Sequence, residues 1–233
     1  FLNAGLFTQV ISIINQEFFV THYDGQPVNE PQLINNQSIR IAPGERYDIE
    51  FIANSNGLSY IQIHAEYNKD KLYAFIPFQL EGKETLAVSS LEMPVSYFDI
   101  TSYGTPASLP FGEITKNYEM ILRNGTGESF TINNMLYPDP QVYEVGEGEV
   151  IKFIIVNDSD QDHPMHLHGH LFYIISKDGR PIQGSPVLKD TVNLKPNETY
   201  EIVMIADNPG TWVFHCHELH HAEDGMVAVV RYQ

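Results

Sequence analysis

Eight of the ten histidines of this 233-residue chain fall in two short windows, and one window also holds its only cysteine. The first window reads His163-Pro164-Met165-His166-Leu167-His168-Gly169-His170. The second reads His215-Cys216-His217-Glu218-Leu219-His220-His221-Ala222-Glu223-Asp224-Gly225-Met226. A thiolate, imidazoles and a distant thioether make up the ligand set of a blue-copper centre, in which two His and one Cys form a trigonal plane and a Met binds weakly on the axis. His163, Cys216 and His221 are read as the plane and Met226 as the axial ligand. Structural zinc is the rival occupant. It prefers several thiolates or a Cys2His2 set, and a single cysteine does not supply either.

The elements that must position these side chains follow from their surroundings. Thr211-Trp212-Val213-Phe214 is β-branched and aromatic, which predicts a strand running into the second window. Side chains on a strand alternate faces, so His215 and His217 point one way and Cys216 the other. One metal can sit on the Cys216 side and a separate metal site on the histidine side, joined by a short covalent route. His166 and His168 repeat the device, with Leu167 facing away. Such an arrangement suits moving electrons from a one-metal site into a cluster.

The two windows resemble the C-terminal copper motifs of the multicopper oxidases, the laccase-like family, which contain His-Pro-x-His-Leu-His-Gly and His-Cys-His-x-x-x-His-x-x-x-Gly-Met. Both match without a gap. The resemblance implies type 1 copper on His163, Cys216, His221 and Met226, type 2 copper on His166, and type 3 copper on His168, His215 and His217. His170 and His220 match no ligand position. It also implies up to four coppers in the intact protein, O2 and a small reducing substrate as partners, and a periplasmic or secreted location.

Composition bounds the rest. The formal charge of −17 argues against nucleic-acid binding, which needs a basic surface. No apolar run approaches the ~20 residues needed to span a bilayer. Short runs rich in β-branched and aromatic residues, 149–156, 171–175, 200–205 and 226–230, are punctuated by Asn, Asp, Gly and Pro turns. That pattern predicts an all-β protein built of sandwiches, with no amphipathic helix.

The chain also repeats itself. Residues 39–54 align with 192–207 at an offset of 153, and 24–28 with 178–182 at an offset of 154. A period of this length means duplicated domains rather than a solenoid. The expected architecture is two tandem cupredoxin-like Greek-key sandwiches: a partial domain over 1–85, a linker over 86–116, and a copper-binding domain over 117–233. Extending the alignment puts Gln62-Ile63-His64 on His215-Cys216-His217, and Gln9, Ser12 and Ile14 on His163, His166 and His168. With Ile63 in place of the thiolate, the first domain holds no blue-copper site.

Phe1-Leu2-Asn3 falls on Ile155-Val156-Asn157, so the first domain is expected to lack its opening strands. The family's cluster uses four His-x-His pairs and two occur here. The resemblance therefore implies a fragment whose missing N-terminal cupredoxin domain, from the same protein or another chain, completes the cluster; alone, the fragment is expected to be inactive. The electron path would run from Cys216 to His215 and His217. Donors would be phenols, aromatic amines or metal ions, and Asp158, Asp160 and Asp162 would crowd the approach to His163. Ala222 stands where several bacterial members carry a carboxylate, leaving Glu223 and Asp224 as the nearest acids. Two rivals remain: an electron-transfer cupredoxin using the type 1 site alone, and a copper nitrite reductase, whose type 1 site would lie in the first sandwich.

Overall fold

The computed structural model describes residues 1–52, 59–78 and 96–233. The stretch 86–95 of the expected linker, with Ser89, Ser90, Met93 and Pro94, lies outside the described residues, as do Ala53 and Asn54 of the repeat. The described chain is almost wholly β, as the alternation of apolar and polar residues dictates. Val150–Asn157, for example, alternates half-buried and buried positions along all eight residues. No described helix is long and apolar enough to cross a membrane.

The C-terminal half is a sandwich of two sheets. One runs in the order Gln141–Val145, Val227–Tyr232, Thr211–Cys216, His163–Leu167, Thr191–Leu194. The other runs Phe130–Ile132, Lys116–Asn124, Val150–Asn157, Thr199–Ile205, Phe172–Lys177, Arg180–Pro181, with Val187–Lys189 also paired to Phe172–Lys177. Parallel pairing of Lys116–Asn124 with Val150–Asn157, and of Gln141–Val145 with Val227–Tyr232, requires the long crossovers of a Greek key. Phe153, Phe172, Phe214, Ile155, Ile202 and Met204 fill the space between the sheets and are fully buried.

The N-terminal half repeats this plan in reduced form. Its sheets are Asn68–Phe78, Ser59–Ala65, Gln9–Ile14, Gln37–Ile41, Ser96–Tyr97 and, facing them, Gln26–Pro27, Phe19–Tyr23, Tyr47–Glu50. The register carries the duplication. Ile11 pairs Ile63 and Ser12 pairs Gln62, as Met165 pairs Cys216 and His166 pairs His215. A buried asparagine does the same work twice. Asn3 donates to the carbonyls of Phe7 and Ile41 (3.0 and 2.8 Å), and Asn157 to those of Gln161 and Leu194 (2.7 and 2.9 Å). Thr199–Ile205 lies between two strands; its counterpart Tyr47–Glu50 pairs with Phe19–Tyr23 on one side and, through Tyr47, with the backbone of Phe1 on the other (2.7 and 3.0 Å).

Two local features complete the fold. A five-residue helix, Leu219–Glu223, follows the copper-motif strand; it is too short to show amphipathic periodicity and is capped by Glu218, whose carboxylate accepts from His221 N. The described part of the connector is bonded to both halves. Ser96–Tyr97 adds a parallel strand to Gln37–Ile41, and the buried Tyr103 donates to the Gln32 carbonyl at 2.6 Å while Ser185 N donates to the Tyr103 carbonyl at 2.8 Å.

The halves meet over a buried charge network. Lys189, 1% exposed, puts its ammonium 3.1 Å from Asp24 and 3.2 Å from Glu45. Burial alone would lower the Lys189 pKa, but Glu45 and Asp24 outweigh it and raise it. Burial dominates at Glu45 and raises its pKa despite Lys189. Beside this group Arg46 grips Asp190 through both guanidinium nitrogens at 2.7 Å.

Candidate metal centre

Two adjacent strands, His163–Leu167 and Thr211–Cys216, carry the chemistry, and their antiparallel register sets histidines and thiol side by side. On the core side, His163, Cys216 and His221 offer ligand atoms that all lie within 4.8 Å of one another, and all three residues are buried. His163 Nδ1 lies 3.1 Å from His221 Nδ1, and the Cys216 sulfur is 3.8 and 3.5 Å from the same two nitrogens. Bonds of ~2.0 Å to nitrogen and ~2.3 Å to sulfur in a trigonal plane would separate the ligand atoms by about 3.5–3.7 Å. The observed triangle fits one metal ion at its centre.

The outer ring nitrogens fix which nitrogen faces that centre. His221 Nε2 donates to the Gln161 side-chain oxygen at 3.0 Å, and His163 Nε2 lies 2.8 Å from Ser159 Oγ, which itself donates to Asn157 Oδ1 at 2.7 Å. Both Nδ1 atoms are therefore left with a lone pair toward Cys216. Burial, with the neighbouring His221, pushes the His163 pKa down to about 3. Burial also lowers that of His221 and raises that of the Cys216 thiol. The metal-free site is thus neutral at ordinary pH. Phe130 packs against His221, with ring centroids 4.0 Å apart and planes tilted by 39°. Met226 is fully buried, and its backbone is bonded to both Cys216 N and His221 O (3.2 and 2.9 Å).

The other face of the same strand holds His166, His168, His215 and His217. Their rings form a cluster with centroid separations between 4.9 and 5.8 Å for the contacting pairs. His166 Nδ1 lies 3.0 Å from the Asp190 carbonyl and His215 Nδ1 lies 2.8 Å from the Cys216 carbonyl; a carbonyl only accepts, so both Nδ1 atoms carry hydrogen and Nε2 is the nitrogen left for a metal. His168 Nε2 sits 3.0 Å from His215 Nε2. Burial lowers the pKa of His215 to about 4 and also lowers that of His168. Nδ1 faces the Cys216 site and Nε2 faces the cluster, with the His215–Cys216 peptide between them.

The remaining expectations sort by contact. His170 is bound to Tyr232 at 2.7 Å and packs on Trp212, and His220 pairs with Glu218 at 3.0 Å, so neither joins a metal group. Asp158 pairs with Arg123, Asp160 accepts from Asn124, and Asp162 from Asn193, so the three acids near His163 are already engaged. Glu223 and Asp224 are exposed. Asp190 is the carboxylate brought to the cluster, and sequence reasoning missed it. Burial would raise its pKa, but hydrogen bonds from His166, Arg46 and Thr191 hold it below the usual range. No motif marks Asp190; the Phe130 contact and the Ser159 and Gln161 partners are equally silent in the sequence.

Fold and site together define a copper-binding tandem cupredoxin. The family model described as Multicopper oxidase matches residues 110–233, and the chain belongs to that family, whose cofactor is copper. It is 30% identical to the multicopper oxidase MmcO of Mycobacterium tuberculosis over 95% of this chain and 43% of that protein. It is 25% identical to the iron transport multicopper oxidase fio1 of Schizosaccharomyces pombe, over 98% of this chain and 44% of that one. The chain thus spans less than half the length of these curated relatives. In fold it is similar to the crystal structure of Fet3p, a multicopper oxidase that functions in iron import, with a TM-score of 0.81, 18% identity, and coverage of 100% of this chain and 54% of that one. The L499M mutant of the laccase from B. aclada gives 0.81 at 21% identity, covering 98% and 50%.

Proposed function

We propose that the chain is the part of a laccase-like multicopper oxidase that takes electrons one at a time at a type 1 site and passes them to a trinuclear cluster where O2 is reduced to water. The observation carrying this reading is the back-to-back placement of two ligand groups across a single peptide, His215–Cys216. A pure electron carrier would need His163, Cys216, His221 and the axial Met226, but not the four-histidine face behind them. A nitrite reductase reading would need its type 1 site in the first sandwich, where Gln9 and Ile63 stand at the positions of His163 and Cys216.

Copper supplies one-electron redox chemistry at both places. The protein's contribution is positional. Cys216 and the peptide to His215 and His217 form the covalent path between the sites. His166 is assigned to type 2 copper, and His168, His215 and His217 to type 3. The reducing substrate, a phenol, aromatic amine or metal ion, is placed in a cleft of about 270 Å³ against His221, lined by Leu6, Phe7, Pro43, Gln161, Asp162 and Glu218. Its apolar wall suits an aromatic donor. The copper domain corresponds to 117–233, the copper-free partial domain to 1–85 and the connector to 86–116. Two further His-x-His pairs, from another cupredoxin domain of the same protein or another chain, complete the cluster. A periplasmic or secreted location goes with this reading by family resemblance.

Oxygen-electrode and peroxide assays test it. The copper-loaded 233-residue chain with an aromatic amine donor is expected to show no four-electron O2 reduction. Adding a cupredoxin polypeptide that carries two further His-x-His pairs is expected to bring it on. Turnover to water by the chain alone would overturn the proposal.

A further inference from the structure

We propose that the turn 42–46 of the copper-free first domain is a positioning element for the histidine cluster of the second, with Gly44 setting the ring of His217 and Arg46 holding His166 through Asp190. The inference rests on the reading that these histidines hold copper, but the contacts stand without it.

The turn occurs twice. In the first domain Ala42 N donates to the Glu45 carboxylate at 2.8 Å, Glu45 N to the Ala42 carbonyl at 3.1 Å, and Gly44 N to the Asn3 carbonyl at 2.9 Å. In the second, Lys195 N donates to Glu198 at 2.9 Å, Glu198 N to the Lys195 carbonyl at 3.0 Å, and Asn197 N to the Asn157 carbonyl at 2.9 Å. Gly44 and Asn197 occupy the same position, both with positive φ, +84° and +66°. The turn therefore does not itself require glycine, since asparagine tolerates that conformation. What differs is the neighbour. A Cβ on Gly44 would lie 2.7 Å from Cδ2 and 2.9 Å from Cγ of His217. The first domain's backbone lies flat against the ring of a cluster histidine, and only the absence of a side chain permits it.

Arg46, two residues on, completes the device. Its Nη1 donates to the Gly44 carbonyl at 3.2 Å and to Asp190 Oδ1 at 2.7 Å, and its Nη2 to the Asp24 carbonyl at 2.9 Å and Asp190 Oδ2 at 2.7 Å. Asp190 in turn presents its carbonyl to His166 Nδ1 at 3.0 Å and its carboxylate to Thr191 Oγ1 at 2.7 Å, with Thr191 Oγ1 also 3.0 Å from His166 Nδ1. One turn thus reaches two cluster histidines, one by contact and one through a bidentate ion pair. This gives the domain without ligands a part in the metal site. Groups that orient ligands in this way typically change metal affinity by about 10–100-fold when altered.

Gly44→Asn separates the turn from the contact, because Asn197 shows that the turn accepts asparagine. In the apo chain with labelled histidines, the His217 ring resonances should move while those of His163 and His221 stay. The blue-site absorbance on adding Cu(II) should be unchanged. A titration continued past that first equivalent, followed by the non-blue electron paramagnetic resonance signal, should weaken by about tenfold or more. Asn197→Gly should do neither. In a folded variant, an unmoved His217 resonance or an unweakened second titration overturns the proposal. If the wild-type chain takes up no copper beyond the blue equivalent, the metal assignment fails instead and the resonance arm alone decides the positioning. Should Gly44→Asn not fold, Arg46→Gln is read in the same way at His166, whose unmoved resonance would likewise overturn it.

Discussion

Replacing Lys189 by Met probes the seam between the two sandwiches. The methionine fills a similar volume but leaves Asp24 and Glu45 buried without their cation. Asp24 keeps strong company: Arg46 N donates to it at 2.9 Å, and Asp190 N and Thr191 N lie at 3.3 and 3.2 Å. Among the described residues Glu45 keeps the Ala42 amide at 2.8 Å besides Lys189. Removing one partner of a buried ion pair costs ~3–5 kcal/mol. At ~2–4 °C per kcal/mol for a chain of this size, the melting temperature should fall by ~6–20 °C at pH 8. The pH dependence has a definite sign. Glu45 is already raised above its ordinary range, and losing Lys189 raises it further, so the variant gains stability as Glu45 takes up a proton on acidification and loses it as pH rises. The gap to wild type should therefore narrow between pH 8 and pH 5. Calorimetry of the apo chain at both pH values reads it. A fall under ~2 °C at pH 8, or a gap that widens at pH 5, would refute the reasoning.

Two further outcomes follow from the site. With His163 and His221 neutral and the Cys216 thiol raised by burial, loading the type 1 site releases one proton, so competition titrations should show Cu(II) affinity rising about tenfold per unit between pH 6 and 8; a flat profile or a two-proton slope would contradict it. Asn157→Ala and Asn3→Ala should each cost ~1–3 kcal/mol in chemical denaturation, since each strands buried carbonyls. Only Asn157→Ala should also weaken copper binding, because Asn157 alone holds the loop bearing Ser159 and Gln161.

The gathering of His163, Cys216 and His221 on one face and of His166, His168, His215 and His217 on the other was legible in the sequence because strand alternation and motif spacing act locally. His-Cys-His on a strand can place thiol and imidazoles only on opposite faces, and the chain does so. The duplication was legible because turn chemistry repeats: Pro-Gly-Glu and Pro-Asn-Glu make the same hydrogen bonds. What stayed hidden depends on contacts between distant segments. Asp190 becomes a cluster group only because Arg46, 144 residues away, grips it, and Lys189 is buried only because the first sandwich closes over it. The short helix at Leu219–Glu223 owes its existence to the Glu218 cap and to packing of His221, which outweigh weak local propensity.

On the function proposed above, His163, Cys216 and His221 hold a type 1 copper. Titrating the reduced apo chain with Cu(II) under visible light tests it most directly. The wild-type chain should turn blue, with an intense thiolate charge-transfer band that saturates at one equivalent, while Cys216→Ser binds copper without colour. A colourless copper complex with Cys216 intact, or a blue band that survives in Cys216→Ser, would contradict the account.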